Sequence, residues 1–145
     1  MIGKDIDTAT QASWGEKSFD AIIPVPLHKS RLRERGFNQA YEIARTVNKE
    51  RKTPILDCMM RTRATSAQAR MGRTGRDENV QGAFAMKKGS ASLSQKIVLI
   101  IDDVCTTGAT IQQVANVLKN AGAEHIFAAS FARGWDADIP SKEGN

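Results

Sequence analysis

Two adjacent carboxylates, Asp102 and Asp103, stand three residues before a hydroxyl- and glycine-containing turn, Thr106-Thr107-Gly108-Ala109-Thr110. That order suits a sugar phosphate. Carboxylates beside a phosphate repel it, but they accept hydrogen bonds from sugar hydroxyls, as an acidic residue does for ribose in dinucleotide-binding folds. The turn can take the phosphate itself. Backbone N–H groups at the start of a helix are unpaired and carry partial positive charge. Threonine hydroxyls add donors, and Gly108 lets the backbone approach the ligand closely. The ligand implied is a ribose with a 5′-phosphate. The alternative is an ordinary strand, turn and helix with an Asp-rich loop.

A second group of residues could meet an anion. His28, Lys29, Arg31, Arg33 and Arg35 fall within Leu27–Gln39, which reads as a loop. Viewed alone, such a charge run reads as a solvated basic loop. If its preceding strand runs parallel to the one before Asp102, both loops lie at the same carboxyl edge, where open α/β sheets bind ligands.

The elements that must position these groups are legible in the pattern. Ile97 to Ile101 is an unbroken Ile, Val and Leu run, as in a strand buried on both faces of a parallel sheet. Asp102 and Asp103 then follow at its end. Ile111, Val114, Ala115 and Leu118 switch to helical spacing, with Thr110 and Gln113 at capping-box spacing and Gly122 at the stop. Ala21 to Val25 predicts a buried strand ended by prolines. Asn38 predicts a helix N-cap, with Ala40, Tyr41, Ala44 and Val47 on one face. Thr53 to Asp57 and Gly82 to Met86 predict short strands, and Ile126 to Ala132 a buried one. Arg61 to Gly82 is basic, polar and without strong periodicity, which marks a functional loop or a mobile hairpin. Lys87 to Gln95 reads as a turn-rich connector. The order predicts a three-layer α/β fold with a mainly parallel sheet. Residues 1–18 read as an arm or partial helix, 19–133 as the domain and 134–145 as a polar tail.

Composition narrows the classes. The chain of 145 residues, 41% hydrophobic and 26% charged, can bury a real core. No apolar run is long enough to span a bilayer and no secretory signal opens the chain, so a cytoplasmic location and no membrane partner are expected. Cys58 and Cys105 form no CxxC, which supports neither a disulfide framework nor a zinc site. The net charge of +5 suits a polyanionic partner, whether diphosphate, nucleotide or nucleic acid.

The stretch Ile97 to Thr110, IVLIIDDVCTTGAT, closely resembles the phosphoribosyl-diphosphate (PRPP) motif of type I phosphoribosyltransferases. The string PVPLHKSRLRERGFNQA, Pro24 to Ala40, resembles the signature of the ComF family of such proteins. The resemblance covers about residues 18–133. It implies a Rossmann-like type I phosphoribosyltransferase fold. It implies that Asp102 and Asp103 hold the ribose hydroxyls, and that Thr106, Thr107, Gly108, Ala109 and Thr110 cradle the 5′-phosphate. Val25, Pro26, Leu27, His28 and Lys29 would form the pyrophosphate loop, with Arg33, Arg35 and Asn38 buttressing it and a strained or cis peptide within it. Gln68, Arg76, Asn79, Gly82, Ala83 and Phe84 match the family's flexible catalytic loop, which makes Arg76 a catalytic candidate beside Asp102 and Asp103. Mg²⁺ would enter through the substrate, with the two aspartates as its nearest protein ligands. Many members of that family begin with a cysteine-rich zinc ribbon and a helix. This chain shows neither the cysteines nor the length, so either the ribbon is absent or the chain is a shortened form.

Three functions stay open at this level. One is transfer of ribose 5-phosphate to a nitrogen nucleophile, as in nucleoside metabolism. Another is non-catalytic PRPP or nucleotide sensing. The third is single-stranded DNA association, since ComF proteins are linked to DNA uptake in competence. Aromatics are 6% of the chain and do not interleave with the basic runs, and no helix-turn-helix is apparent, which weighs against the last. A homodimer is compatible with the sequence.

Overall fold

The computed structural model describes residues 18–62, 82–105 and 108–133. Strand β1 (Ala21–Pro24) leads into helix α1 (Lys29–Arg35) and helix α2 (Gln39–Arg51). Strands β2 (Met59–Arg61) and β3 (Phe84–Met86) follow, then β4 (Ile97–Cys105), α3 (Ala109–Asn120) and β5 (His125–Arg133). The sheet has the order β1-β4-β5, and both pairings are parallel. Strands β2 and β3 pair antiparallel, Arg61 opposite Phe84.

The apolar run does what its composition dictates. Val98, Leu99, Ile100 and Ile101 are fully buried, and side chains alternate between the two faces of the strand. Val98 and Ile100 join Val114 and Leu118 of α3 in one core cluster. Leu99 and Ile101 join Ile22 and the α2 residues Ile43, Ala44 and Val47 in another. The result is helix, sheet, helix: the three layers expected. Each such side chain contributes about 1.5–3 kcal/mol by leaving water, which fixes β4 as the rigid base of the site.

Several expectations are corrected. Asp102 and Asp103 do not follow the strand but lie inside it, because pairing with β5 continues through Asp102 opposite Ser130 to Cys105. Helix α3 starts at Ala109, not Thr110. Gly108 is its N-cap at φ 82°, with no side-chain cap, so the Thr110–Gln113 box is not used. Gly122 does stop the helix as expected: it follows the cap Ala121 at φ 104°, where a Cβ would crowd the Ser94 backbone at 3.4 Å.

The expected basic loop is largely helix α1. His28 caps it by accepting from the Ser30 N–H at 3.2 Å, and Gly36 closes it. Asn38 does cap α2: its Oδ1 accepts from the Ala40 N–H at 3.0 Å. The buried face of α2 uses Ile43 with Ala40, Ala44 and Val47, while Tyr41 is exposed. Thr53 to Asp57 reduces to one parallel bridge, Ile55 with Ile22, since Pro54 has no N–H for a ladder. Among the described residues no peptide bond is cis, the 25–29 loop included.

Candidate functional site

At the carboxyl edge of the sheet a cavity of about 180 Å³ opens between the loop after β1, the start of α2, the end of β2 and the acidic end of β4. Each wall has a local cause. The loop leaves β1 at Pro24, which ends the strand, and Val25 still donates its N–H to the Ile101 carbonyl at 2.9 Å. The Asn38 Nδ2 donates to the Val25 carbonyl at 3.0 Å while its Oδ1 caps α2. One side chain thus ties the loop to the helix behind it. Val25, Pro26 and Leu27 form that wall.

The floor is the acidic pair. Asp102 is 7% exposed, and the Asp103 N–H donates to its Oδ1 at 2.9 Å. Burial pushes the Asp102 carboxyl up from 3.8 to about 7; the hydrogen-bonded, negatively charged Asp103 side chain adds to the rise. The Arg61 guanidinium pulls the other way. A buried carboxyl beside another carboxyl cannot stay ionised as readily as in water. The pair therefore stores an attraction for a cation or a hydroxyl donor.

Arg61 is the cation that the sequence reading did not place here. It ends β2, lines the cavity, and stacks over the Phe84 ring at 5.2 Å from the centroid. Its own pKa is lowered by burial, with Arg31 adding and Asp102 opposing. The only signal was its position after the apolar pair Met59-Met60, at the stem of a segment read by other features. Gln39 and Ala40 also line the cavity.

Of the residues singled out by sequence, the structure brings together Val25, Pro26, Leu27, Arg35, Asp102, Asp103 and Thr110 around one space. His28 serves as the α1 cap, Lys29 faces the neighbouring pocket, and Arg33 is exposed and lines neither. Gly108 and Ala109 form the start of α3 beside Thr110. Ala83 and Phe84 are core residues, and Gly82 is an exposed turn. Thr106, Thr107, Gln68, Arg76 and Asn79 lie outside the described residues. The arrangement sets two carboxylates, two arginines and a helix N-terminus around a space of small-ligand size. That can hold a hydroxylated, multiply anionic ligand.

The model of the phosphoribosyl transferase domain matches residues 33–143. The chain is 31% identical over 115 residues to Competence protein F of Haemophilus influenzae, covering 79% of this chain and 50% of that protein. It is 34% identical over 114 residues to Competence protein ComFC of Streptococcus pneumoniae, covering 77% and 47% respectively. The chain thus spans about half the length of these relatives. Among solved structures, purine phosphoribosyltransferase from Pyrococcus horikoshii superposes with a TM-score of 0.56 at 19% identity, covering 97% of this chain and 79% of that one. That likeness is one of fold. Among the described residues no helix is long and apolar enough to cross a membrane.

Proposed function

The chain belongs to the phosphoribosyl transferase domain family, in its ComF branch, and from that premise we propose that it binds PRPP with Mg²⁺ and transfers the ribose 5-phosphate to a nitrogen nucleophile, releasing diphosphate. The observation that carries the reading is the meeting of Asp102 and Asp103 with Arg35, Arg61 and Thr110 around one cavity.

In this reading Asp102 and Asp103 accept hydrogen bonds from the ribose 2′- and 3′-hydroxyls. The start of α3, Gly108 to Thr110, takes the 5′-phosphate together with Thr106 and Thr107. Val25 to Leu27, Arg35 and Arg61 face the diphosphate, with Arg76 a catalytic candidate on family resemblance alone. His28, Lys29 and Arg33 then support the loop from outside the cavity. Such chemistry passes through a ribosyl oxocarbenium-like state, which the protein serves by positioning and by charge set in place beforehand.

Mg²⁺ fits this donor set. Among the described residues no cluster of three or more His, Cys, Asp or Glu forms a metal cage. A carboxylate pair, Asp102 buried and Asp103 half-buried, matches a cation that takes most of its ligands from substrate phosphates and water. Bound there, it would neutralise charge on the leaving diphosphate.

Calorimetric titration of PRPP with and without Mg²⁺ tests the reading, using the protein and its Asp103→Asn variant. Expected is Mg²⁺-dependent binding that the variant loses. Binding unaffected by the substitution sinks it. A second reading, PRPP sensing without turnover in DNA uptake, draws support from relatives that are named competence proteins. Diphosphate release with a panel of bases and amines separates the two: tight PRPP binding without release selects the sensor.

A further inference from the structure

The acidic cavity carries both signs of charge. Its floor is the carboxylate pair Asp102 and Asp103, and its lining also holds the guanidinium groups of Arg35 and Arg61. Arg61 is steadied by stacking over the Phe84 ring, 5.2 Å from its centroid. Burial lowers the Arg61 pKa; Asp102 works against that fall and Arg31 adds to it. Arg31 thus stands within electrostatic reach of Arg61, at a site the sequence pattern did not assign to it.

Helix α1 explains how Arg31 comes to be there. Residues four apart share a helix face, so Arg31 and Arg35 lie one turn apart on the side that gives Arg35 to the cavity. Lys29 and Arg33 are the other pair at that spacing, and neither lines the cavity. The arrangement is unfavourable for the helix by itself. Its seven residues hold four cations and one acid, Glu34, and like charges four apart repel. Its first turn has no acid, and Lys29 and Arg31 there oppose the helix dipole. A basic helix on a surface is ordinarily just solvated. Here, however, α1 and β2 gather three arginines beside one cavity, and a multiply charged anion would offset their repulsion.

That charge fits one end of a ligand more than the other. A diphosphate on a sugar has an inner phosphate, bonded through oxygen to the sugar and to its neighbour, and an outer phosphate with three free oxygens and most of the charge. Guanidinium forks bind such oxygens two at a time, which an ammonium cannot do.

We propose that Arg31 is a specificity residue: with Arg35 and Arg61 it takes the outer phosphate of a diphosphate, so that the cavity selects a ribose 5-phosphate carrying diphosphate at its anomeric carbon over one carrying a single phosphate. This rests on the ribose-phosphate reading of the cavity and adds to it the residue that chooses the leaving group. A single phosphate at that carbon would leave the outer arginines repelling one another.

Calorimetric titration of PRPP and of ribose 1,5-bisphosphate, at constant Mg²⁺, compares two ligands that differ by the outer phosphate. The intact protein should prefer PRPP by about 10- to 100-fold. Arg31→Gln should cut that preference about tenfold while the bisphosphate affinity moves less than about threefold. Arg31→Lys should recover part of the loss, since it restores the charge without the fork. Lys119→Gln, the same change of charge near the far end of α3 from Thr110, should leave the preference intact. Circular dichroism should be unchanged in all three, the substituted side chains being exposed. An intact protein without the preference overturns the proposal. So does a preference that survives Arg31→Gln, or a loss that falls equally on both ligands. Inorganic diphosphate and inorganic phosphate repeat the comparison without the ribose. If PRPP does not bind but diphosphate keeps an Arg31-dependent advantage over phosphate, the ribose-phosphate reading fails and the arginines keep their assignment. Mg²⁺-dependent PRPP binding that Arg31→Gln leaves untouched does the reverse.

Discussion

Replacing Asp102 by Asn should stabilise the protein at alkaline pH and abolish its ligand binding. The carboxyl is 7% exposed and lies at about 7 rather than 3.8, from burial first and Asp103 second. Between those values the folded protein holds a proton that the unfolded chain has released. Stability therefore falls as pH rises through that window: the favourable contribution is whole below about 3.8 and gone above about 7. At about 1.4 kcal/mol per pKa unit the full shift sets a ceiling of about 4 kcal/mol. Burial is the largest cause and the Asp103 hydrogen bond and charge supply part of the rise, so about 2–4 kcal/mol is the working expectation. Asn can keep the bond from the Asp103 N–H, since its Oδ1 takes the place of the carboxylate oxygen. Its amide donor can serve Asp103 as the protonated acid does. Urea unfolding of both proteins from about pH 5 to about pH 8 measures the difference. The Asn variant should gain on the wild type as pH rises, its midpoint moving by about 1–2 M at the alkaline end. A gap that does not change with pH, or an Asn variant that is weaker at about pH 8, refutes the reasoning.

Other consequences can be checked beside it. Arg61→Met removes the guanidinium that faces Asp102; PRPP and inorganic diphosphate should bind about 10- to 100-fold more weakly by calorimetry, from the loss of a charged hydrogen bond, and ribose 5-phosphate almost unchanged. Asn38→Ala loses both the α2 cap and the bond to the Val25 carbonyl, and urea unfolding should show a loss of about 1–2 kcal/mol. Asn38→Asp keeps the capping oxygen but not the donor to Val25, so it should recover part of that loss. Gly108→Ala meets no atom within 4 Å, so only the φ of 82° is strained. Unfolding should show a loss of about 1 kcal/mol, and 5′-phosphate ligands should bind more weakly because the start of α3 shifts.

The fold was legible where burial leaves few choices. Val98 to Ile101 is buried on both sides, so its residues had to be apolar throughout, and such a run can hardly be anything but a central strand. The change to helical spacing after it placed α3 as well. The β2–β3 pair was not legible as a pair, because Met59–Arg61 and Phe84–Met86 are three residues each and show no alternation to read. Helix α1 was missed for a related reason: a helix with no buried residue leaves no apolar stripe in the sequence. Spacing with Ala44 puts Tyr41 on the buried face, yet Ile43 fills that face. Spacing permitted either; volume against β1 and β4 decided.

The remaining misreadings fall at the acidic cavity, and they share a cause. Local rules place carboxylates after a buried strand, not within it, because an ionised group is costly in the interior. Asp102 nevertheless continues the ladder opposite Ser130, its carboxyl pushed toward neutrality. Local rules also give a helix start its side-chain cap. Here Thr110 and Gln113 were available, yet the chain begins α3 on Gly108 with none. A cap would occupy donors that an anion requires, and a well-solvated carboxylate would have less need of a sugar hydroxyl or a cation. Both departures lower the stability of the empty protein, and one kind of ligand would relieve both: hydroxyls and positive charge at Asp102, negative charge at the start of α3. A ribose 5-phosphate brought in with a divalent cation supplies all three.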